Sequence, residues 1–495
     1  MVFIMSSLQN AVKNFVFGLF GFLLLVLLFI SVFGTCKINS DEQISFHWDQ
    51  PLLHVLFLGL AVGIGTFLSK KKRVRIPSKA FYGGLTACLL AFVFLTQLWP
   101  KGDSYLLGEA AAHIVEGNYQ DFLKGGYLYN QPHQLTLAYL FAALYRLFGS
   151  DYVFLCQAAN CFFIAGSYYF LEKFYQKFSG SISKSGFRIC SILFFPFLLY
   201  STFVYGTAPG LFLALAACLC LVKYLEEGRF SNAVFAVLLI TAAKLLKSNF
   251  LIFVIAMAAI LAYDFLKKAR IRHLAAVGLL VASVFLSGRL VSSYTEHLTG
   301  VTSEGGVPPI LFVMMGFQEG ELGPGWWTGF HELIFLNHGF DVEESAEYGR
   351  QMLMESLEKM KDDPAYGAKF MLHKTASQWS EPTYESIWIQ QNRKSNTKLP
   401  KALESLFGGG RLTECYVFIC NLFQSFLYFF TLVFVFGKWK KISALELLLP
   451  TVFIGGFLFH LFWEAKGQYT LPYCVCLLPY CVWGFGWLIK RRDRE

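Results

Sequence analysis

The stretch of sequence that decides the fold covers residues 99–149 and reads WPKGDSYLLGEAAAHIVEGNYQDFLKGGYLYNQPHQLTLAYLFAALYRLFG. An apolar segment ends just before it, and a shorter apolar segment, from residue 134, closes it. Between them the pattern predicts a short amphipathic helix after Asp103 and a polar, proline-bent turn at residues 130–134. Residues 100–152 are therefore predicted to form a polar loop between two membrane helices.

The composition of the whole chain is typical of a membrane protein. Of its 495 residues, 55% are hydrophobic and 15% are charged, whereas a soluble globular chain carries about 25% charged residues. The apolar residues fall in blocks long enough to cross a hydrocarbon core about 30 Å thick. The net charge of +9 comes from short basic runs between these blocks, so it does not indicate a nucleic-acid partner.

We predict an all-α polytopic membrane protein with about 12 transmembrane helices, and with extracytoplasmic loops that carry amphipathic helices. The spans are predicted at residues 15–33, 51–69, 80–98, 153–173, 187–205, 208–223, 231–246, 249–263, 274–292, 415–437, 447–463 and 469–489. They divide the chain into two N-terminal transmembrane helices (1–75), a membrane core with the loop at about 100–152 (76–293), a long extracytoplasmic region (294–414) and the C-terminal transmembrane helices (415–495). The extracytoplasmic region is predicted to hold helices at 342–361 and 364–379.

Basic residues between the spans set the predicted orientation, because Lys and Arg concentrate in cytoplasmic loops. The basic runs lie at residues 70–73, 267–270, 438–441 and 490–492. With both termini cytoplasmic in a plasma membrane, all four runs are cytoplasmic and the loop at 100–152 is extracytoplasmic. If residues 134–149 crossed the membrane, the three later basic runs would lie outside the cell. This segment is therefore predicted to lie in the outer leaflet. The alternative is that it crosses and that another short block does not.

Asp103 is the candidate catalytic residue, because it lies just past the end of a span. Transfer of a sugar from a phosphate-linked donor needs a base that deprotonates the acceptor, and a carboxylate at the membrane surface suits that role. The alternative is that Asp103 caps the helix at residues 105–115, since Asp is a favoured N-cap. The two roles are compatible.

Two further pairs in this loop are candidates for binding. Glu109 and His113 share a helix face, which could serve a divalent metal or the acceptor, or be an ordinary solvated face. A divalent metal is the one cofactor that the sequence leaves open. His133 and Gln134 enter the short apolar segment and could bind sugar hydroxyls or a phosphate, or simply start an interfacial helix.

Cations at the outer ends of spans run against the usual charge bias and point to an anionic ligand. Lys247 and Arg289 lie at such ends. The turn WEAKGQY between the last two spans adds Glu464, Lys466 and Tyr469 beside the membrane face. The alternatives are snorkelling of the cations to lipid headgroups and an ordinary interfacial turn.

The order of motifs along the chain resembles a known family. A span is followed by Asp103, Tyr105, a short helix with alanines at 110–112, GGY, NQPHQ and the apolar helix LYRLFG. This order resembles the GT-C superfamily of integral membrane glycosyltransferases, and within it the bacterial relatives of protein O-mannosyltransferases and aminoarabinose transferases. The C-terminal WEAKGQYTLPY is similar to the E-x-(K/R)-x-R-Y-x-x-P turn of that branch, with Gln468 in place of its Arg. The resemblance covers most of the chain from about residue 80.

Two motifs of that branch are changed in this chain. Residues 131–133 read Gln-Pro-His where many relatives have a Lys-Pro-Pro stretch. Residues 205–209 lack the acidic residue that many relatives carry after the next pair of spans.

The resemblance implies inverting transfer of a sugar from a polyprenyl-phosphate-linked donor, within membrane lipids, to an extracytoplasmic glycan, lipid or protein. It gives Asp103 the role of general base and matches Glu464, Lys466 and Tyr469 to the C-terminal turn. Together with the residues argued above, the predicted set that binds the donor phosphate or sugar is Lys247, Arg289, Lys466, Glu464, Tyr469, His133 and Gln134.

Two other functions compete with this interpretation. A transporter or flippase of lipid-linked glycans would favour internal repeats and charges at mid-membrane, and the chain shows neither clearly. A structural scaffold would need neither Asp103 nor the proline-bent turn.

Overall fold

The computed structural model describes residues 2–70, 76–178, 184–268, 270–302, 305–439 and 441–492. Residues 71–73, 269 and 440, which belong to three of the basic runs, lie outside the described residues. Within the described ranges the chain is almost entirely α-helical, with one β-hairpin near its start. The prediction of an all-helical polytopic membrane protein is therefore confirmed, with this hairpin as an addition.

The hairpin joins the first two long helices. Helix α1 covers Val2–Phe33 and α2 covers Pro51–Ser69. Strands β1 (Gly34–Ile38) and β2 (Ile44–Trp48) pair antiparallel between them. Glu42 lies in the five-residue turn, in a left-handed conformation with a φ of 68°.

Helix α3 (Ser78–Thr96) leads into the loop that the sequence singled out. The loop folds into α4 (Asp103–Glu116), the short α5 (Tyr127–Asn130) and α6 (Leu135–Phe148), which packs closely against α4. Helix α7 (Tyr152–Lys177) then enters the bundle.

Six further helices complete the central part of the bundle. They are α8 (Lys184–Leu193), α9 (Phe195–Leu199), α10 (Thr207–Glu227), α11 (Phe230–Leu246), α12 (Leu251–Lys268) and α13 (Ile271–Thr299).

The long polar region between the membrane segments contains five helices: α14 (Pro309–Met315), α15 (Phe330–Asn337), α16 (Val342–Asp362), α17 (Pro364–Trp379) and α18 (Lys401–Phe407). Helices α16 and α17 agree closely with the two helices predicted there. Each begins at an aspartate whose carboxylate accepts a backbone N–H of the first turn, Asp341 from Glu344 at 2.8 Å and Asp363 from Tyr366 at 3.0 Å.

The chain ends in α19 (Arg411–Lys438), α20 (Ala444–Phe462), α21 (Gly467–Val475) and α22 (Leu478–Arg492). Buried ion pairs hold these and earlier helices together at one end of the bundle. Arg188 bonds Glu172 at 2.6 Å, and Lys438 bonds Glu446 at 2.7 Å. Removing one partner of such a buried pair typically costs about 3–5 kcal/mol, because the other charge is left uncompensated.

The number of candidate membrane spans among the described residues is lower than predicted by one to three. Among the described residues, nine segments are long and apolar enough to cross a membrane, or eleven if the bent pairs α8–α9 and α21–α22 each form one span. The twelfth predicted span is α11, which has only 17 residues. At 1.5 Å per residue it is about 25 Å long, slightly less than a typical hydrocarbon core.

The chain before α6 and the chain after it both contact residues 203–205. Gln134, just before α6, hydrogen-bonds the Tyr205 hydroxyl. After α6, the first turns of α7 reach the same place, because the Asn160 side chain donates to the carbonyl of Phe203 at 2.9 Å. That residues 134–149 do not cross the membrane stays a prediction. We call the end of the bundle at residues 203–205 the Asp103 end.

Candidate functional site

Asp103 is the first residue of α4, and Gly102 before it occupies the N-cap position. Gly102 has a φ of 56°, a left-handed conformation that glycine adopts at little cost. The Asp103 side chain is exposed and makes no hydrogen bond with any described residue. The alternative that Asp103 caps the helix is therefore wrong, and its carboxylate is free to meet a ligand.

Lys247 faces Asp103 from the break between α11 and α12. Its side chain is 7% exposed, and its Nζ donates a hydrogen bond to Oγ1 of Thr207 at 3.0 Å. The same Nζ lies 4.9 Å from the centre of the Tyr205 ring and 5.3 Å from that of Tyr469. Lys247 is thus a buried ammonium held by one hydroxyl and two aromatic faces.

Burial lowers the pKa of Lys247 to about 8. Glu385 and Asp103 oppose this shift, because nearby negative charge favours the ammonium, while Lys466 adds to it. Lys247 is therefore a cation whose charge is only partly compensated, as expected for a group that binds an anion.

The close approach of two chain segments positions Lys247. A Cβ atom added at Gly206 would lie 2.0 Å from the carbonyl oxygen of Leu246 and 3.1 Å from Cβ of Lys247. Only glycine fits there, and it lets Thr207 reach the Lys247 ammonium.

The C-terminal turn brings two charges to the same place. Tyr469 donates its hydroxyl hydrogen to Oε1 of Glu464 at 2.5 Å. Lys466 forms an ion pair with Glu42 of the hairpin at 2.6 Å. Burial lowers the pKa of Lys466, but Glu42, Glu385 and Asp103 outweigh burial, so that the pKa is raised above its usual value. Lys466 is thus firmly charged and already paired.

A parallel backbone contact fixes this turn against the polar region. The N–H of Ala465 donates to the carbonyl of Gly325 at 2.7 Å, and Trp326 pairs with Ala465 as an isolated bridge. Trp326 is fully buried, and its indole N–H donates to Ser377 at 2.9 Å.

Most of the predicted donor-binding residues gather around Asp103. The Asp103 carboxylate acts electrostatically on residues from four separate chain segments: Tyr127, His133, Tyr205, Lys247, Glu464, Lys466 and Tyr469. Gln134 joins them through its hydrogen bond to Tyr205. We call these residues the Asp103 cluster.

Three predicted residues do not join the cluster. Arg289 is exposed on α13 and forms no hydrogen bond or ion pair with the described residues. Glu109 accepts a hydrogen bond from Tyr105 at 2.6 Å, and His113 pairs with Asp121 at 2.8 Å, so the two do not bind one another. In the described parts of the chain, no three or more His, Cys, Asp or Glu side chains are arranged to hold a metal ion.

Sequence reasoning missed Glu42 and Glu385, two carboxylates of the site. Glu385 is fully buried in the loop after α17. Its Oε1 accepts the N–H of Gln468 at 3.1 Å, and its Oε2 has no hydrogen-bond partner among the residues that the structure describes. Burial raises the pKa of Glu385 to about 8, although Lys466 opposes this. The stretch EPTYESIW could have drawn notice, because two acids lie four residues apart next to aromatic residues.

The loop that carries Glu385 has an unusual backbone. Tyr384 and Glu385 have φ values of 50° and 60°, which non-glycine residues rarely adopt. Glu381 compensates by accepting the N–H groups of Thr383 at 2.9 Å and Glu385 at 2.7 Å. Such conformations persist where the surroundings enforce them, and they are frequent at functional sites.

Arg393, at the end of this loop, fixes the chain before Asp103. Its guanidinium donates to the carbonyl oxygens of Trp99 at 2.5 Å, Leu98 at 3.0 Å and Thr202 at 3.1 Å. The end of α3 is thereby held against the segment that leads to α10, so Arg393 is a positioning residue for α4.

These features define a class: a polytopic, all-helical integral membrane protein with a cluster of charged and aromatic side chains at one end of its bundle. The chain belongs to the family described as "Conserved hypothetical integral membrane protein", whose family model matches residues 187–482. The matched range includes Lys247, Glu385, Glu464 and Lys466, whereas Asp103 lies before it.

One solved structure to which the chain is similar is the apo form of the Archaeoglobus fulgidus oligosaccharyltransferase, with 14% sequence identity and a TM-score of 0.38. The similarity covers 88% of this chain and 51% of that chain, so this chain spans about half the length of that protein. The comparison with curated proteins gave no match.

Proposed function

We propose that the protein is a membrane glycosyltransferase that moves a sugar from a polyprenyl-phosphate-linked donor to an extracytoplasmic acceptor, with inversion at the anomeric carbon. The observation that carries this proposal is the Asp103 carboxylate, which is exposed, forms no ion pair with the described residues and acts electrostatically on the buried ammonium of Lys247. A free base beside a buried cation, at one end of a membrane bundle, fits an acceptor hydroxyl and a lipid-linked phosphate.

The proposed reaction is a single displacement. Asp103 takes the proton from an acceptor hydroxyl as its oxygen attacks the anomeric carbon. The bond between that carbon and the phosphate oxygen breaks, and the electron pair leaves with the polyprenyl phosphate. Lys247 stabilises the negative charge on the leaving phosphate, since charge-assisted contacts are roughly twice as strong as neutral ones.

Other members of the cluster have supporting roles in this proposal. Tyr205, Tyr469, His133 and Gln134 supply ring faces and hydrogen-bonding groups beside Lys247. Lys466 is already paired with Glu42. We therefore assign the contact with the phosphate to Lys247, and to Lys466 the role of holding the C-terminal turn against the hairpin through this ion pair.

The experiment that tests the proposal is the substitution Asp103→Asn. Asn cannot act as a base, while Asp103 makes no hydrogen bond that the fold depends on. Release of sugar from a labelled undecaprenyl-phosphate sugar should fall by at least about 10²-fold, which is typical of losing a general base. Donor binding in nanodiscs should stay within about twofold of the wild type.

The matched control is Glu109→Gln, which changes an exposed carboxylate on the same helix that bonds only Tyr105. This variant should keep nearly full activity. Retention of sugar release by Asp103→Asn would remove Asp103 as the base, and movement of an intact lipid-linked glycan across the membrane without sugar release would favour a flippase instead.

A further inference from the structure

A small pocket beside the start of α4 is not used in the reaction described above. Its polar lining comes from Lys101, Ser104 and Arg393, with the Trp388 ring as one wall and Phe203 as part of the apolar wall. Lys101 and Ser104 lie on either side of Asp103 in sequence, so the pocket opens next to the proposed base.

Lys101 is a cation without a partner in this pocket. It forms no ion pair or hydrogen bond with the described residues, and its Nζ lies 3.8 Å from the centre of the Trp388 ring. Burial lowers its pKa to about 8; Glu42 and Glu385 oppose this shift at a distance, while Arg393 and Lys466 add to it. A half-buried ammonium of this kind gains most from an anion that enters the pocket.

Ser104 supplies a second, independent sign of a ligand. The residue is 2% exposed, and its Oγ has no hydrogen-bond partner among the described residues. Leaving a buried hydroxyl unpaired costs roughly 1–3 kcal/mol, so such groups are normally satisfied. Ser104 also lies in the first turn of α4, where the helix dipole favours negative charge.

Arg393 adds positive charge but few free donors. Its N–H groups are already directed at the carbonyl oxygens of Trp99, Leu98 and Thr202. The groups available to a ligand are therefore the Lys101 ammonium and the Ser104 hydroxyl, since the Trp388 ring already contacts Lys101 at 3.8 Å and Lys466 at 5.5 Å.

We propose that this pocket is a second anion site, which holds a phosphate or carboxylate group of the acceptor next to Asp103, while Lys247 holds the phosphate of the donor. This inference rests on the proposed function, which defines the donor and the acceptor. It adds that the acceptor is an anionic molecule. Lys101 and Ser104 would hold the charged group, and Trp388 keeps the Lys101 ammonium in place through its ring.

The first test measures binding of inorganic phosphate to the full-length protein in nanodiscs, by ³¹P NMR titration. It is done in a Lys247→Met background, so that the donor site does not contribute. Adding Lys101→Met should weaken phosphate binding at least about tenfold, the effect of losing one charge-assisted contact. The control Lys401→Met, at an exposed lysine of α18, should change it less than twofold, and thermal unfolding confirms that each variant folds.

The second test separates acceptor from donor, with undecaprenyl phosphate as the probe and Lys247 intact. Lys101→Met should leave this binding within twofold of the wild type, whereas Lys247→Met should weaken it at least about tenfold. Equal losses for the two variants would place Lys101 in the donor site and overturn the proposal. Phosphate binding that is the same with Lys101→Met as with Lys401→Met would also overturn it. Neither measurement involves sugar transfer, so a failure here is distinguishable from failure of the proposed reaction.

Discussion

At the scale of single residues, Lys247 is the side chain most suited to bind an anion. A buried ammonium costs free energy unless charge or hydrogen bonds compensate it, and Lys247 has one hydroxyl at 3.0 Å and two ring faces. Its nearest opposite charges, Glu385 and Asp103, act without a direct ion pair. The position is therefore destabilising in the free protein and favourable once an anion binds.

The lowered pKa of Lys247 predicts the pH dependence of donor binding. A phosphodiester keeps one negative charge between pH 6 and 9, so the groups that titrate belong to the protein: Lys247, and Glu385 beside it, each with a pKa of about 8. Affinity for the donor should be constant below about pH 8 and fall above it, by up to about tenfold per pH unit, because binding then requires uptake of a proton. Titrations of a non-hydrolysable donor analogue from pH 6.5 to 9.5 measure this.

The variant Lys247→Arg is the control, since a guanidinium stays charged throughout this range. Its affinity should depend much less on pH than that of the wild type, with Glu385 as the remaining group that titrates in this range. Unfolding does not explain a loss at high pH, because a folded-state pKa below the unfolded value of 10.5 means that stability rises between pH 8 and 10.5. A wild-type affinity that stays flat to pH 9.5 would show that Lys247 does not bind the phosphate.

The predicted residues that lie in the Asp103 cluster share one property: each lies where an apolar segment ends. Lys247, Glu464, Lys466 and His133 mark such ends, and ends of membrane helices must meet at one of two surfaces. Arg289 failed to join the cluster because hydrophobicity locates the end of a helix but not the face on which a residue lies. The bonds of Glu109 to Tyr105 and of His113 to Asp121 likewise depend on side-chain directions that spacing does not give.

At the scale of elements, the sequence predicted regular helices well and irregular segments poorly. The bounds of α16 and α17 follow from capping residues and periodicity. The hairpin with Glu42 and the loop with Glu385 have no periodicity, and long-range contacts hold them, such as the ion pair from Glu42 to Lys466. Such contacts could not be read from local pattern.

The close contact between Gly206, just before α10, and Leu246, at the end of α11, predicts the effect of adding a side chain at position 206. In Gly206→Ala the new Cβ would meet the carbonyl oxygen of Leu246, which cannot move without shifting Lys247. We expect a destabilisation of roughly 1–3 kcal/mol, as in other overpacked sites, and weaker donor binding. Denaturant unfolding in detergent and the donor titration measure the two effects.

The matched control is Gly83→Ala on α3, where an added Cβ meets nothing within 4 Å. That change should be neutral or stabilising by up to about 1 kcal/mol, since Ala is the better helix former. If Gly206→Ala behaves like Gly83→Ala in both measurements, the contact does not position Lys247.

At the scale of the whole molecule, both ends of the bundle are well defined, and the membrane orientation is the remaining prediction. The Asp103 end carries the site, and the other end carries the buried pairs Arg188–Glu172 and Lys438–Glu446. Counting charges in the basic runs predicts that the Asp103 end is extracytoplasmic. The orientation matters chemically, because only an extracytoplasmic site can meet an acceptor outside the cell.

Cysteine labelling in intact cells tests the orientation. The exposed Cys415 is first changed to Ser, to remove a native thiol near the Asp103 end. Glu355→Cys on α16 should then react with a membrane-impermeant maleimide from outside, while Glu227→Cys at the end of α10 should react only after the membrane is permeabilised; both positions are exposed. The reverse pattern would place the Asp103 cluster in the cytoplasm, and the acceptor would then have to be a cytoplasmic molecule. Labelling of both cysteines from outside would mean that an even number of spans, and not the predicted three, lies between residues 227 and 355. Helix α11 would then be the first segment to re-examine, because it has only 17 residues.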